Sequence, residues 1–534
     1  MYKGAIKSLS YTNGFNGIIL IIYCLFVFST YSIVTYSDSW ISLLFAVIFF
    51  SLFSFLACPF ILKKASGISI TPKDFKSTYL SEGCLKFILY AIPLLVLFIH
   101  FSAYYPGGFS VDSVNQYEQA YSDTYNDWHP ALQTLFAFKL PLFLSGGRYG
   151  SIVLFQVILL AFILGYTFCV ILKHTNLLIT ISSMAFILLN PQLLNISLYP
   201  WKDVSFGGGA LLLTAFALQI YFTKGQWLKK RHNIIFFVLV TTLTTLFRHN
   251  APLFTIPLII GTLLCLKPKK ALIICFSILL LAIGIKGPLY SALKVEQPDK
   301  RQIETLGLPM TIIGGAVAKT PELLDPEVTD FAYQIATKEC WEEAYTYGSY
   351  NTIKFKETTN NMIIEEYGAL KVLEMMIHCL SKSPQASLIA LIKLTEPVYS
   401  IADACINNTH VEIYYNNFGI GENGNLFLQK ICNGYNEFFT QTFKFYDYSL
   451  GIIHLILIIS ILSKFKINKF LNYKKLLLVI PVFLYNYSTT LLLTGAEDAT
   501  RFFYYTYLIT PLLLIFIFKK DRKEHIETSM PQEP

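Results

Sequence analysis

The chain has 534 residues, of which 54% are apolar, 16% aromatic and only 14% charged. A soluble core cannot bury so much hydrophobic surface, so the composition excludes an ordinary soluble enzyme and favours a protein whose solvent is the lipid bilayer. The net charge of +8 does not indicate nucleic-acid binding, because the lysines are spread over short loops between apolar segments, where they suit anionic lipid headgroups.

Apolar segments of the length needed to cross a bilayer recur along the whole chain. A spanning helix takes about 17–25 mostly apolar residues, and the candidate segments are 15–36, 41–62, 85–103, 149–172, 176–190, 204–222, 233–248, 251–266, 271–292, 448–463, 476–494 and 503–519. The sequence therefore predicts an all-α polytopic membrane protein with about 12 transmembrane helices. The first apolar run lacks a small-residue cleavage site, which predicts an anchor and not a removed signal peptide.

Lysines predict the orientation, since short loops rich in Lys and Arg remain in the cytoplasm. They fall on alternate loops, at Lys63, Lys64, Lys173, Lys229, Lys230, Lys267, Lys269, Lys270, Lys464, Lys466, Lys469, Lys519 and Lys520. We therefore expect a multi-pass protein of the cell (plasma) membrane with both termini cytoplasmic and its functional face extracytoplasmic.

Two outer segments are too long to be simple connections. The predicted organisation is a transmembrane region at 1–292 with about nine helices and an outer loop at 104–148, a mostly helical extracytoplasmic domain at 293–447 between the ninth and tenth helices, C-terminal transmembrane helices at 448–519 and a cytoplasmic tail at 520–534. Within the outer loop, the short apolar run 131–144 predicts an interfacial helix or a re-entrant piece.

Four cysteines fall in the longer outer segment, where an oxidising compartment would permit disulfides. They are Cys340, Cys379, Cys405 and Cys432. Several connectivities are possible for four cysteines, and the sequence leaves the choice open.

The densest polar cluster follows the third apolar segment and reads Pro-Gly-Gly-Phe-Ser-Val-Asp-Ser-Val-Asn-Gln over 106–116. Proline and two glycines allow a sharp turn that would hold Asp112 at the mouth of the bundle. A partly desolvated carboxylate there can accept a proton from a hydroxyl group or ligate a divalent cation. The alternative is a solvated loop in which Asp112 is a turn or cap residue. Gln116, in the same cluster, is a candidate substrate contact.

A second motif in this loop is Asp127-Trp128-His129-Pro130. Asp127 and His129 are candidates for acid and base, or, with Asp112, for ligands of a divalent cation such as Mg or Mn. The alternative is a local turn in which Asp127 caps the helix that starts at Pro130.

Arginine distribution gives a further signal, because four of the six arginines lie on the predicted outer side, at Arg148, Arg248, Arg301 and Arg501. Arginine binds phosphate through two parallel hydrogen bonds and keeps its charge when desolvated. Arg248, with Asn250 close by, and Arg501 are therefore candidate phosphate-binding residues, and snorkelling from helix ends is the alternative. At the same predicted level Lys202 and Asp203 are candidate substrate contacts or simply a mutual pair.

Taken together, these features resemble the GT-C class of membrane glycosyltransferases: many spans, a first large outer loop with an early Asp, an interfacial helix after it, and further Arg and acids on the outer face. The Pro-Gly-Gly-Phe-Ser-x-Asp-Ser and Asp-Trp-His-Pro motifs are also similar to those of a group of bacterial multi-pass membrane proteins placed near that class. One difference is that in the class the key loop follows the first span, whereas here it follows the third.

The resemblance implies transfer of a sugar from a polyprenyl-phosphate donor to an extracytoplasmic glycan, lipid or protein acceptor. Asp112 would then take the proton of the acceptor hydroxyl, and Arg248 or Arg501 would stabilise the leaving phosphate. The alternatives are a transporter or flippase of a lipid-linked sugar, a polysaccharide polymerase or ligase, and a receptor that uses 293–447 to bind partners. The sequence identifies neither a cofactor nor the oligomeric state.

Overall fold

The computed structural model describes residues 2–36, 39–70, 81–297, 302–401, 410–443, 450–464, 473–497 and 499–520. Within these ranges the chain is helical, and β-pairing is limited to isolated bridges. The predicted all-α class is therefore confirmed for the described part of the chain. The tail from 521 onward, Arg301 and Cys405 lie outside it.

The first part of the chain forms a series of helices, most of which are apolar, whereas α4 is polar. They are α1 (Tyr2–Tyr36), α2 (Trp40–Gly67), α3 (Glu82–Ala103), α4 (Val111–Ser122), α5 (Ala131–Ser145), α6 (Gly150–His174), α7 (Leu177–Leu188), α8 (Pro191–Ser197), α9 (Lys202–Phe222), α10 (Arg231–Leu246), α11 (Pro252–Leu263) and α12 (Pro268–Ala292).

The remaining helices comprise an outer group and three apolar helices. The outer group is α13 (Gly307–Lys319), α14 (Pro326–Ile335), α15 (Lys338–Ala344), α16 (Met362–Lys382), α17 (Pro384–Thr395) and α18 (Leu426–Thr442). The apolar helices are α19 (Leu450–Lys464), α20 (Tyr473–Thr490) and α21 (Tyr504–Phe518), with single helical turns at Asn351–Lys354 and Ala499–Phe502.

The number of spans differs from the prediction, although each predicted segment is helical. In the described part of the chain six helices are long and apolar enough to cross a membrane, namely α1, α2, α3, α6, α9 and α12, and α7 with α8 adds a seventh if that pair, bent by 65°, is one span. Helices α10, α11, α19 and α21 are apolar but shorter. The structure thus supports a helical membrane-embedded protein, and the predicted number of twelve is not confirmed.

Basic residues from distant loops meet at one end of the bundle. Lys519 Nζ lies 2.7 Å from His174 Nδ1, and Lys475 Nζ donates to the backbone carbonyl of Lys519 at 2.7 Å. Lys464 Nζ donates to the carbonyl of Ser66 at 2.8 Å. Because these loops lie at alternate helix ends along the chain, the fold gives the bundle one basic end, opposite the end at which α4 and α5 lie.

Helices α13 to α16 surround a hydrophobic core of their own, with Met310, Phe331, Trp341 and Cys379 at its centre. Helix α14 begins at Pro326, and the side chain of the preceding Asp325 makes no capping hydrogen bond there. Among the described cysteines of this outer region, Cys340, Cys379 and Cys432 are free thiols.

Helix α5 forms where the sequence predicts an interfacial or re-entrant piece. Its middle, Thr134–Lys139, is wound as a π-helix just before Pro141, which has no amide proton to donate. Phe143 and Leu144 are exposed, at 79% and 70%, whereas Phe138 on the opposite side is fully buried. This apolar exposed edge fits a helix at a membrane surface.

Candidate active site

The start of α4 is held rigidly against the rest of the bundle. Ser110 Oγ accepts a hydrogen bond from the Ser113 amide at 3.3 Å, which caps the helix, and Asp112 lies in its first turn, where the helix dipole favours an acid. Gly107 has a φ of 101°, and a side chain there would lie 2.7 Å from Val153 of α6. The glycine is therefore required for the close approach that positions Asp112.

A buried ion network joins three distant parts of the chain, around Asp203, Arg248 and Arg501, to the start of α4. Asp203, only 1% exposed, lies in the first turn of α9. Its two carboxylate oxygens face two arginines: Arg248 Nη1 is 2.5 Å from Oδ1, and Arg501 Nε donates to Oδ2 at 2.9 Å. Arg501 also donates to the carboxylate of Asp112. One guanidinium therefore bridges the two acids.

Aromatic rings orient both guanidinium groups. Arg501 lies over the ring of Trp201 at 4.5 Å from its centroid, and Arg248 lies over Phe502 at 4.8 Å. The Trp201 indole in turn donates to Ser110 Oγ at 2.6 Å, which connects the stack to the cap of α4. Such packing leaves the arginines few alternative rotamers and so pre-organises their charge.

His129 and Lys202 complete the polar cluster. Lys202 Nζ lies 3.1 Å from His129 Nδ1, and His129 Nε2 lies 4.0 Å from Asp112 Oδ1. Because an ammonium group can only donate, Nδ1 accepts this hydrogen bond, and the ring proton is then on Nε2. The Nε2–H group therefore faces Asp112.

The protonation states of the two groups follow from their surroundings. Burial and the nearby Lys202 ammonium lower the pKa of His129 to about 3, so the ring is neutral at physiological pH. Burial alone would raise the pKa of Asp112, but the charges of Arg501 and Lys202 outweigh it and hold the pKa well below its usual range. Asp112 is thus a carboxylate beside a neutral imidazole.

Asp127 is placed differently from the other predicted acids. Its Oδ1 accepts from the amide of Ala131 at 3.0 Å, and its Oδ2 lies 2.7 Å from Lys286 Nζ. The backbone carbonyl of Asp127 is also 2.9 Å from His249 Nε2. Both carboxylate oxygens therefore have partners that fix the start of α5 and join it to α12, as the capping alternative predicts.

Two predicted amide contacts lie behind the cluster. Gln116 is 1% exposed and donates to Gln133 and to Thr134 Oγ1, the latter at 2.8 Å. Asn250 donates to Thr489 Oγ1 at 3.1 Å. Gln116 thus connects α4 to α5, Asn250 connects the turn before α11 to α20, and their proposed contacts with substrate stay predictions. Of the other outer arginines, Arg148 is exposed.

In this structure the groups around Asp112 that could ligate a divalent cation face other partners. Among the described residues no three His, Cys, Asp or Glu side chains converge. The Asp112 carboxylate is already opposed by Arg501, Nδ1 of His129 faces the Lys202 ammonium, and Asp127 is engaged elsewhere. The positive charges of Arg501 and Lys202, which lie close to Asp112 and His129, would repel a metal ion at this point. The predicted Mg or Mn ligand set stays untested, and no step proposed below uses a metal.

A cavity of about 660 Å³ opens directly beside Asp112 and His129. Its lining residues come from α4, from the segment before α5 and from the segment after α12: Val111, Asp112, Asn115, Glu118, Gln119, Ser122, Thr124, Tyr125, Asn126, Trp128, His129 and Glu296. The ion network therefore has access to a ligand of moderate size on this side.

Sequence reasoning did not assign roles to Ser110, Trp201 or Phe502, which orient the arginines. The contact between Arg248 and Phe502 joins residues that are far apart in the chain, so no local pattern indicates it. The signal that did find the site was the placement of arginine and acid at the same predicted level of the membrane.

No family model, curated protein or solved structure matches this chain. The fold and the apolar helices therefore define its class without a relative: an all-helical, membrane-embedded protein with a buried ion network and a polar cavity at one end of its bundle.

Proposed function

We propose that the protein is a membrane glycosyltransferase of the GT-C kind, which transfers a sugar from a polyprenyl-phosphate donor to an acceptor outside the cytoplasm. The observation that carries this proposal is the bridging position of Arg501. Its guanidinium contacts Asp203 inside the ion network and Asp112 at the edge of the cavity. A phosphate bound at Arg501 would therefore lie next to the carboxylate that faces the acceptor.

The charge balance of the network favours a phosphate. Arg248, Arg501 and Lys202 carry three positive charges, whereas Asp112 and Asp203 carry two negative charges, and His129 is neutral. One positive charge thus remains in a buried, rigid setting, where interactions with an anion are stronger than in water. The leaving polyprenyl phosphate gains negative charge as the glycosidic bond breaks, and Arg501 and Arg248 would stabilise it.

The gap between His129 and Asp112 suits the acceptor. A hydroxyl oxygen placed between His129 Nε2 and Asp112 Oδ1, which are 4.0 Å apart, lies within hydrogen-bond distance of both. The imidazole donates to that oxygen while Asp112 accepts its proton. The new bond forms between this oxygen and the anomeric carbon, the bond from that carbon to the phosphate oxygen breaks, and polyprenyl phosphate leaves.

Donor binding would also activate the base. In the free protein Arg501 holds the pKa of Asp112 low, which makes the carboxylate a poor proton acceptor. A donor phosphate that engages Arg501 neutralises part of that charge, and the basicity of Asp112 rises. The base is then strong only when the donor is in place.

The proposed placement in the membrane follows the two ends of the bundle. With the basic loops in the cytoplasm, the network lies at the outer surface of the cell membrane, both termini face inward, and the apolar helices hold the polyprenyl tail. Ion-coupled transport would place ionisable groups in the middle of the spans. Two candidates for this, Lys286 and His454, instead contact Asp127 and the carbonyl of Val398 near the outer end.

The test uses the full-length protein in nanodiscs with a panel of radiolabelled polyprenyl-phosphate hexoses and membrane-glycan extract as acceptor. We expect wild type to release polyprenyl phosphate, and Asp112→Asn to lower the rate about 10²- to 10⁴-fold. The matched control is Asp123→Asn, because that exposed acid at the end of the same helix pairs with Lys139 outside the cavity. Equal turnover by Asp112→Asn and wild type would overturn the proposal. If the intact lipid-linked sugar moves across the bilayer of proteoliposomes and no sugar is transferred, the protein is a flippase and not a glycosyltransferase.

A further inference from the structure

The wall of the 660 Å³ cavity is well defined on both sides. One side is the exposed face of α4, and the other is the segment 124–129 paired with the segment after α12. In this pairing the Asp127 amide donates to the carbonyl of Glu296 at 2.9 Å, and the Glu296 amide donates to the carbonyl of Tyr125 at 2.9 Å. The backbone of Glu296 is thereby held at the cavity, whose lining also includes Glu118.

The lining is polar, and many of its side chains carry planar groups. It combines the amides of Asn115, Gln119 and Asn126 with hydroxyl groups and with Trp128, whose ring is 36% exposed. Amides and carboxylates present pairs of donors and acceptors that match neighbouring hydroxyl groups, and an indole face packs against the C–H groups of a sugar ring. Several of these groups already bond to one another, as Gln119 Nε2 does to Asn115 Oδ1 at 2.8 Å, which holds the polar surface in place for a ligand.

A buried histidine marks the inner end of the cavity. His129 is 3% exposed and lines the cavity. Its Nε2 lies 4.0 Å from Asp112 Oδ1, which is beyond hydrogen-bond distance. A ligand hydroxyl between these two atoms would lie within hydrogen-bond distance of both.

The charge of the cavity is opposite to that of the network behind it. Its described lining contains the carboxylates of Asp112, Glu118 and Glu296 and no Lys or Arg. We propose that this cavity is the acceptor site and that it takes the end of a glycan that is uncharged or carries amino groups, while rejecting glycans with carboxylate or phosphate groups. The inference rests on the proposed glycosyltransferase function and adds the acceptor class.

Separate sites for the two substrates follow from this arrangement. The anionic donor headgroup binds on the Arg501 side of Asp112, and the acceptor binds on the Glu118 and Glu296 side. Like charges repel a phosphate from the acceptor side, so each substrate enters in one position only. The volume lies within the range of about 300–1,000 Å³ that is common for small-ligand sites.

The experiment measures the binding of three β-linked trisaccharides to the full-length protein in nanodiscs of neutral lipid. The probes are oligomers of N-acetylglucosamine, glucosamine and glucuronic acid, which are neutral, cationic and anionic. By isothermal titration calorimetry we expect the glucosamine trimer to bind at least as tightly as the neutral one. We expect the glucuronate trimer to bind more weakly than the neutral one, by a factor of about ten or more. Equal affinity for the anionic and neutral trimers would overturn the inference.

Charge variants test whether the cavity is responsible. Glu118→Gln combined with Glu296→Gln should reduce the discrimination against the anionic trimer by about threefold or more, because both acids are exposed and their replacement keeps the shape. Asp123→Asn is the matched control, since its left-handed backbone, with a φ of 58°, is one that Asn adopts readily. Discrimination that persists in the double variant, or that Asp123→Asn also reduces, would contradict the assignment.

The two proposals fail in different ways. If polyprenyl-phosphate hexoses are turned over but no trisaccharide binds wild type, the acceptor inference is wrong and the proposed function stands. If the trisaccharides bind in the expected order and no donor is turned over, the cavity is a glycan site and the glycosyltransferase proposal fails.

Discussion

Arg501 Nε and Asp203 Oδ2 are 2.9 Å apart although 298 residues separate them in the chain. The contact joins the start of α9 to the turn that precedes α21, and these two helices pack along each other. Since Arg501 also reaches Asp112, this single side chain connects the C-terminal part of the bundle to the start of α4. The candidate site therefore exists only when the whole bundle is assembled.

Replacing Asp203 by Asn should strongly destabilise the protein. The carboxylate is 1% exposed and neutralises two arginines, and removal of one partner from a buried ion network costs about 3–5 kcal/mol. The measurement is the free energy of unfolding in mixed detergent micelles. In the double variant Asp203→Asn with Arg248→Met we expect part of the loss to be recovered, because one uncompensated cation is gone. Stability of the single variant equal to that of wild type would show that the network does not stabilise the fold.

The residues of this network could be named from sequence, but their contacts could not. Arginine on the lysine-poor side indicated Arg248 and Arg501, since Lys alone follows the positive-inside rule in this chain. The sequence did not show that Arg501 bridges Asp112 and Asp203, because no local pattern encodes contacts between residues that are hundreds of positions apart. It left Asp203 as a partner of Lys202, whereas the structure pairs it with two arginines.

The helices were predictable because their signal is local. Hydropathy gave the positions of most apolar helices to within a few residues, although α1 begins at Tyr2, well before the predicted segment 15–36. The number of membrane spans was not predictable in this way, because α10, α11, α19 and α21 are shorter than a standard crossing and α7 with α8 is bent by 65°. Prolines account for some of this: Pro191 starts α8, and Pro252 starts α11. How such pieces sit in a bilayer depends on their neighbours.

His129 should make the protein sensitive to acid. Its pKa is about 3 in the folded state and about 6.5 in the unfolded chain. Below about pH 6.5 the unfolded state therefore binds a proton that the folded state does not, and stability falls as the pH is lowered until about pH 3. Between about pH 7.5 and pH 5, wild type should lose about 2 kcal/mol more unfolding free energy than His129→Gln. Equal losses in both proteins would show that His129 is not held neutral.

A small substitution at Gly108 should disturb the position of Arg501, because Gly108 is in close contact with the aromatic residues that support this arginine. A methyl group at this position would collide with the ring of Tyr199, which stacks on Trp201 at a centroid distance of 4.2 Å. Trp201 supports Arg501. We expect Gly108→Ala to cost about 1–3 kcal/mol of stability and to weaken the binding of a polyprenyl phosphate, measured by a flotation assay with radiolabelled lipid.

The control for this substitution is Gly434→Ala in α18. That glycine has open space around its Cβ position, and Ala in a helix is favoured over Gly by about 0.5–1 kcal/mol. We expect this variant to be as stable as wild type or slightly more stable, with unchanged binding of the lipid. Binding that is lost in Gly434→Ala, or kept in Gly108→Ala, would contradict the proposed connection through Trp201.

Asp127 offers the sharpest distinction between a structural and a chemical role. Its carboxylate caps α5 at the Ala131 amide and pairs with Lys286, whose side chain is 38% exposed. Asp127→Asn keeps the capping oxygen and loses only a partly solvated ion pair, which is worth about 0–1 kcal/mol. Asp127→Ala also loses the cap, which adds about 1 kcal/mol.

We therefore expect Asp127→Asn to be nearly as stable as wild type and to turn over the donor at a similar kcat, while Asp127→Ala is less stable. Unfolding free energies and donor turnover, measured on the same preparations, separate the two roles. A metal ligand or catalytic acid needs the carboxylate itself, because a neutral amide neither carries its charge nor exchanges its proton. If Asp127→Asn is stable but does not turn over the donor, Asp127 takes part in the reaction and does not only position α5.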